Sequence, residues 1–500
     1  MIENFILGST ALFGDSVTIV IFIFGVLGGM LFGAIPGVSM LTLAAILLPF
    51  TANLDPSQGV MLFAVIYCTG TYGGAITAIL FNIPGAPENA PTAFDGYPMT
   101  KNGQSGKAVG AAVLCSAIGG LSSAIVMMAA TEPLANWAIS NIGPPEIFAL
   151  VFFGLAVASS VGGRTIWKGW MSVLLGLIVA TIGQDPVGGI NRYNFGFSDL
   201  AAGIAFVPAI LGFFAVSEIF VQAEKKAIGK YEAPKMSVKF PTFFELWKQK
   251  IAVVRSIFVG FFCGILPGIG ATLAAFMGYG EAVRWSKNKE SFGKGNIEGV
   301  ISSETSNNAA TGAAMIPLLA LGLPGGALTA MMVAVFQMHD LEPGPLVFYN
   351  SPDLIWVVFA AMFFANVSIL FIGLLETKTI MYLLKIPFHF LAPMILLLAS
   401  IGAYIGRGLV LDVMVMFGAG ILGFFLRRSG YSIPGIVLGI ILGKIGEQNF
   451  AQGMQMVHYD LFVYLSRPIC LLLILAGLFT LVASVYGALS MSTQVKENEN

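Results

Sequence analysis

Residues 299–338 read GVISSETSNNAATGAAMIPLLALGLPGGALTAMMVAVFQM. A membrane-spanning helix needs about 20 apolar residues, each rising about 1.5 Å, so this stretch is too long for a single crossing. It is also interrupted. Proline lacks a donor N–H and its ring clashes with the preceding turn, so Pro324-Gly325 is expected to break the helix. Ahead of the break stand seven consecutive polar residues, Ser302-Ser303-Glu304-Thr305-Ser306-Asn307-Asn308. Inside a bilayer such a run is costly unless it lines a cavity. Its plainer role is an N-cap and the cytoplasmic mouth of the helix that follows.

The rest of the chain is of the same kind. Of its 500 residues 57% are hydrophobic and 10% charged, and the mean hydropathy is +0.86. Soluble domains carry about 25% charge and about 45–50% apolar residues, so the chain reads as an all-α polytopic membrane protein surrounded by lipid. With 25 Lys+Arg against 26 Asp+Glu there is no basic surplus for nucleic acid. The four cysteines lie in apolar stretches without metal-type spacing, and the three histidines form no metal motif. His458, beside Tyr459 and Asp460, lies away from the broken helices, so a hydrolase is disfavoured and the chain is expected not to be an enzyme.

Candidate spans lie near 17–50, 59–92, 108–130, 147–161, 169–184, 201–222, 254–280, 299–338, 354–375, 386–404, 410–426, 433–447 and 467–489. Three are too long for one crossing (17–50, 59–92 and 299–338), and each of these, like 254–280, holds an internal Pro-Gly. Lys and Arg mark the cytoplasmic side. None occurs before Lys101, which places the N-terminus outside; the lysine-rich stretch 223–250 and the loop 281–298 then face in, and the acidic loop 339–353 faces out. Arg407, Lys444 and Arg467 fit this pattern poorly. The alternation works if 17–50 and 254–280 are re-entrant hairpins.

The broken regions also resemble each other. Gly29, Gly33, Pro36, Gly37 and Ala44 match Gly260, Gly264, Pro267, Gly268 and Ala275 at an offset of 231, and Thr71, Ile76, Pro84, Gly85 and Ala90 match Thr311, Ile316, Pro324, Gly325 and Ala330 at an offset of 240. Asp95 and Pro98 correspond more weakly to Asp340 and Pro343. Charge gives the two copies opposite orientations. The expected organisation is a first repeat over 1–222, a basic linker over 223–250, a second and inverted repeat over 251–447, and a further loop, helix and polar tail over 448–500. Inverted repeats with Pro/Gly-interrupted helices point to a secondary transporter with its site near the bilayer midplane.

Broken helices leave backbone groups that protein, ion or ligand must satisfy. A helix starting after each turn offers free N–H groups to an anion; the plainer reading of each break is a packing kink. The expected substrate-binding set is Pro36, Gly37, Ser39, Asn82, Pro84, Gly85, Pro267, Gly268, Thr272, Asn307, Asn308, Pro324 and Gly325, with Ser303, Glu304 and Asn308 as candidates for a coupled cation. No Lys or Arg lies between the matched landmark residues of either hairpin or either broken helix, so an anion would be held by helix ends, neutral side chains and co-bound cations. The glycine ladders (25, 29, 33, 37; 260, 264, 268; 435, 439, 443) are read as close helix packing.

Gly33-Ala-Ile-Pro-Gly37, Tyr72-Gly-Gly-Ala-Ile-Thr-Ala-Ile-Leu-Phe-Asn-Ile-Pro-Gly85, Asp95-Gly-Tyr-Pro-Met99, Ser303-Glu-Thr-Ser-Asn-Asn-Ala309, Leu321-Gly-Leu-Pro-Gly325 and Pro343-Gly-Pro-Leu346 together resemble the large permease subunit of tripartite tricarboxylate transporters, the TctA family. The resemblance implies a multi-pass permease of the bacterial inner membrane. It further implies a small four-helix membrane subunit, a periplasmic solute-binding protein that delivers the carboxylate, and citrate as the default substrate. It implies drive by an ion gradient, with coupled Na+ or H+ and no resident cofactor. A homo-oligomer is left open. An anion channel is the rival reading, since it would use the same helix ends.

Overall fold

The computed structural model describes residues 1–35, 39–161, 166–185, 188–224, 241–266, 270–383 and 388–498. Its first helices are α1 (Ile2–Gly14), α2 (Ser16–Ala34) and, beyond residues 36–38, α3 (Met40–Leu47). Then come α4 (Pro56–Phe81), α5 (Ala90–Lys101), α6 (Ser105–Asn141), α7 (Pro144–Val161) and α8 (Ile166–Ala180). A short antiparallel ribbon pairs β1 (Gly183–Gln184) with β2 (Asn191–Arg192). α9 (Phe206–Ile210), a π-helical turn (Leu211–Val216) and α10 (Ser217–Glu224) follow one another without a gap. After α11 (Phe243–Lys248) come α12 (Lys250–Ile265), α13 (Gly270–Trp285), α14 (Ile297–Leu321), α15 (Ala327–Met338) and the short α16 (Val347–Asn350). The chain closes with α17 (Pro352–Leu383), α18 (Phe388–Ile405), α19 (Val410–Arg428), α20 (Ile433–Met456), α21 (Leu461–Ser466) and α22 (Pro468–Asn498). Among the described residues seven helices are long and apolar enough to cross a membrane. The protein is an all-α polytopic membrane protein.

Local chemistry sets the helix boundaries. Asp15 opens α2 by accepting the Thr18 amide at 2.9 Å, and Asn296 opens α14 by accepting the Glu298 amide at 2.9 Å. One connection is shorter than expected: the gap between the candidate spans 108–130 and 147–161 shrinks to residues 142–143, because α6 runs unbroken to Asn141 through Pro133. A proline ring disturbs only the turn behind it, and there the Thr131 hydroxyl donates to the Met127 carbonyl at 2.6 Å.

α4 and α14 form the centre. Every residue from Gln58 to Leu80 and from Gly299 to Ala320 is buried. Neighbours approach these helices backbone to backbone, because glycine leaves no side chain between them. A Cβ at Gly33 or Gly73 of the α2–α4 contact would strike the Gly70 or Met30 carbonyl, and one at Gly119, Gly260 or Gly264 would meet the backbone of α14 at Thr305, Ser306 or Ala310. Gly439 meets α8 at Val173 and Gly176 in the same way. The ladders are packing surfaces, as read from the sequence; Gly37 and Gly268 lie outside the described residues.

Asp95 of α5 fastens the two central regions together. Its fully buried carboxylate accepts the Gly295 and Asn296 amides at 2.9 and 2.8 Å and the Tyr279 hydroxyl at 2.9 Å. A carboxylate at this end of α14 also opposes the positive pole of the helix. Asp340, its weak counterpart, is exposed with a φ of 55° and does not share the role. Asp95→Ala leaves three donors unpaired, each costing about 1–3 kcal/mol when buried. It is expected to lower the melting temperature in detergent well below that of Asp95→Asn, which keeps one acceptor; equal melting of the two variants would contradict the capping role.

At the lysine-rich end the Lys107 ammonium donates to Glu245 of α11 at 2.6 Å and, with the Thr242 amide, pushes that carboxyl down to about 2. A carboxyl depressed in the folded state contributes above its ordinary range, and the contribution is lost only as pH falls through about 2. The clasp therefore persists at physiological pH, although both groups are partly exposed and solvent weakens it. Of the three cations that fit the charge pattern poorly, Arg407 and Arg467 are ion-paired with Asp412 and Glu146.

Candidate functional site

Two of the four Pro-Gly breaks lie among the described residues. α4 stops at Phe81, and Asn82 takes the left-handed conformation with a φ of 57°. Asparagine tolerates that region better than most residues. The chain then doubles back: the Ile83 amide donates to the Thr77 carbonyl and the Gly85 amide to the Gly74 carbonyl, both at 3.3 Å. α14 ends alike, with Gly322 left-handed at 75° and the Leu323 amide donating to the Pro317 carbonyl at 3.1 Å. Gly325 then packs on Ala314, as Gly85 does on Gly74. Each of these pairs stands 240 positions from its counterpart.

The turns also reach the other two breaks. A Cβ at Gly85 would strike the carbonyl of Gly33, in the last turn of α2 before residues 36–38. Gly270, which opens α13 just after residues 267–269, faces Gly326, and a Cβ on it would stand 3.7 Å from the Gly326 Cα.

Side chains join the two turn regions. Asn89 donates to the Thr71 carbonyl at 2.8 Å, locking the turn after Pro84 onto the middle of α4. The Asn307 amide donates to the Glu88 carbonyl at 3.2 Å and reaches Glu304 Oε1 at 3.5 Å. Thr272, in the first turn of α13, reaches Glu88 Oε2 at 3.5 Å. The Tyr67 hydroxyl lies against the Ala271 amide and close to Gly326. Behind them the fully buried Glu304 accepts from Thr92 at 2.5 Å and from Ser116 at 2.9 Å, with Ser303 3.0 Å from Thr92. Among the described residues no Lys or Arg forms an ion pair with Glu88 or Glu304.

The expected site residues are distributed unevenly around this cluster. Pro36, Gly37, Pro267 and Gly268 lie outside the described residues. Ser39 precedes α3 and is half-buried, and Asn82 is exposed at its left-handed corner. Pro84 is half-buried, while Gly85, Pro324 and Gly325 are buried. Thr272, Asn307, Ser303 and Glu304 belong to the cluster. Asn308 adjoins it, donating to Asn307 Oδ1 at 2.8 Å and to the Glu304 carbonyl at 3.1 Å. The polar run is not an N-cap: Asn296 fills that position, and residues 302–308 lie inside α14 and are completely buried.

Tyr67, Glu88, Asn89, Thr92 and Ser116 were missing from the expected set. Tyr67 had a signal, since the offset of 240 pairs it with Asn307. Glu88, Asn89 and Thr92 trail Pro84 in one polar stretch, whereas Ser116 sits in an apolar helix and gives no hint. The cluster offers amide, hydroxyl and helix-start donors to an anion, and two carboxylates to cations. Among the described residues no three His, Cys, Asp or Glu side chains gather as a metal site.

A family model described as the tripartite tricarboxylate transporter TctA family matches residues 19–438. An uncharacterized 52.8 kDa protein in the TAR-I ttuC' 3' region of Agrobacterium vitis is 35% identical over 493 residues, covering 97% of this chain and 96% of that protein. An uncharacterized protein in the TAR-II ttuC' 3' region of the same organism is 35% identical over 226 residues, 45% of this chain and 93% of that protein. No solved structure matches.

Proposed function

The chain belongs to the tripartite tricarboxylate transporter TctA family, and on that premise we propose that it is the permease of a carboxylate uptake system driven by an ion gradient. Membership makes it the large subunit of a tripartite system, a multi-pass membrane transporter component with partner subunits that include a binding protein. The proposal adds di- and tricarboxylates as cargo, delivery in the periplasm, a small four-helix partner and a place in the inner membrane. It also takes 1–222 and 251–447 as inverted repeats, each with a re-entrant hairpin at its first break. The hydrogen bonds repeated at an offset of 240 support the duplication.

One observation carries the reading: the turn after α4 and the start of α13 meet at the buried Glu88 and Asn307 and the half-buried Thr272, with no Lys or Arg among the described residues ion-paired there. The cargo carboxylate would lie against the Ala271 amide, with Tyr67, Thr272 and Asn307 as further donors, at the positive pole of α13. Glu88 and Glu304 would oppose it. Two like charges 4 Å apart repel by about 4 kcal/mol at an effective dielectric of about 20, so the anion binds only when cations neutralise the site. Na+ or H+ held at Glu304, Ser303 and Asn308 makes the two binding events interdependent, which is the physical requirement for symport.

The full chain, reconstituted with its partner subunits, is expected to accumulate labelled citrate or succinate against its gradient when a sodium or proton gradient is imposed. A channel can only equilibrate the carboxylate. Uptake indifferent to both ion gradients would reject the coupling and leave the channel.

A further inference from the structure

One turn beyond Glu304, α14 presents a second polar cluster. Three side-chain oxygens, Asn308 Oδ1, Ser123 Oγ and Asn366 Oδ1, have no hydrogen-bond partner among the described residues. Their residues are 0, 1 and 0% exposed. Each unpaired buried acceptor costs about as much as a lost hydrogen bond, so three in one place call for an occupant.

Helix register places them together. α6 and α14 run side by side: Ser116 donates to Glu304, Gly119 lies against Thr305, and Ser123 lies against Gly312. Asn308 is three residues after Thr305 and four before Gly312, so it lies between them on the face of α14 that packs against α6. Asn366 of α17 packs on Gly120, so closely that a Cβ there would strike its Oδ1, and it flanks Cys68 of α4. Cys68 in turn sits 3.8 Å from the Thr311 hydroxyl. Gly120 and Gly312, lacking side chains, make room between these helices for the Asn366 amide and the Ser123 hydroxyl.

We infer that Asn308, Ser123 and Asn366, with Thr311 beside them, form a second sodium site, which shares Asn308 alone with the site proposed at Glu304. The donors are hard oxygens, which suit an alkali or alkaline-earth cation rather than zinc or copper. All are neutral, so a single positive charge, with Glu304 one turn away, is what the set can compensate. A cargo with more than one negative charge then has a second cation to travel with. The inference deepens the ion-coupled reading and rests on it for its purpose, but its test requires no transport.

The full chain is melted in detergent across a NaCl series, with choline chloride holding ionic strength constant. A ligand that binds only the folded state raises the melting temperature, and sodium is expected to raise it by at least about 3 °C over choline. The rise should persist in Glu304→Gln. Adding Ser123→Ala to that background should move the half-maximal NaCl concentration upward at least tenfold, while adding Asn366→Asp should move it downward by introducing a negative charge. Identical melting in sodium and choline, or a half-maximal concentration unmoved by both added substitutions, would overturn the site and leave a buried water as the occupant. Should Ser123→Ala fail to fold, the direction of the Asn366→Asp shift decides. Failure of citrate and succinate uptake with the sodium rise intact would count against the proposed function and not against this site.

Discussion

Glu304→Gln is expected to yield a folded protein whose gradient-driven carboxylate uptake is reduced about 10²–10³-fold. The carboxylate is completely buried and accepts from Thr92, Ser116 and Asn307. Glutamine preserves its shape and keeps one acceptor. Where its NH2 replaces an oxygen, the facing Thr92 or Ser116 hydroxyl can rotate to accept, so the fold survives. The charge does not. A cation paired with a carboxylate at about 4 Å gains about 4 kcal/mol at an effective dielectric of about 20, and each 1.4 kcal/mol or so is a factor of ten in binding. Glu304→Ala goes further, leaving the three donors without an acceptor, and is expected to lower the yield of folded protein as well. Uptake in proteoliposomes under an imposed ion gradient measures the first effect. Wild-type rates in Glu304→Gln would remove Glu304 from the coupling machinery.

Gly85→Val should destroy the protein's function through the backbone alone. A Cβ at Gly85 would strike the Gly33 carbonyl and stand 2.7 Å from the Gly74 Cα. Overpacking costs about 1–3 kcal/mol where neighbours can adjust. Here the obstacles are main-chain atoms of α2 and α4, which cannot rotate aside, and valine adds two methyl groups beyond the Cβ. The expected result is loss of the monodisperse protein in detergent or, in whatever folds, loss of transport. Gly280→Ala is the control: nothing lies within 4 Å of its Cβ position, and alanine favours the helix. A Gly85→Val protein that melts and transports like Gly280→Ala would mean that the turn after α4 does not rest on α2.

Much of this architecture was legible beforehand because membrane sequence is constrained by a single demand, that backbone groups be satisfied within a helix. Apolar runs longer than one crossing had to break, and the described breaks fall beside Pro84 and Pro324 as expected. Glycines at every fourth position had to bring backbones together, and they do at Gly33, Gly260 and Gly439. What escaped the sequence depends on tertiary context. The candidate span 108–130 runs on to Asn141, with Pro133 carried inside α6. The ribbon at 183–192 is too short to show an alternating pattern. In the site, Tyr67 sits amid 22 other buried positions of α4 and reads as core; its pairing with Asn307 at the offset of 240 is its one sequence signal, and its place beside Ala271 and Gly326 needs the tertiary structure. Ser302–Asn308 presented two options, a cavity lining or a cap, and periodicity could not choose between them. The choice belonged to Asn296, whose capping bond starts α14 ahead of the run.

The hydroxyls of α14 add one more property. Ser303, Thr305 and Ser306 already donate to the carbonyls of Gly299, Ile301 and Ser302 on their own helix, at 2.9, 2.7 and 2.8 Å. If a neighbouring helix withdrew, these groups would keep their protons engaged and expose a wettable stripe rather than a row of stranded donors. The central rod can thus be uncovered and covered again without passing through an electrostatically frustrated state, and water or a solvated guest would find its oxygen lone pairs ready to accept.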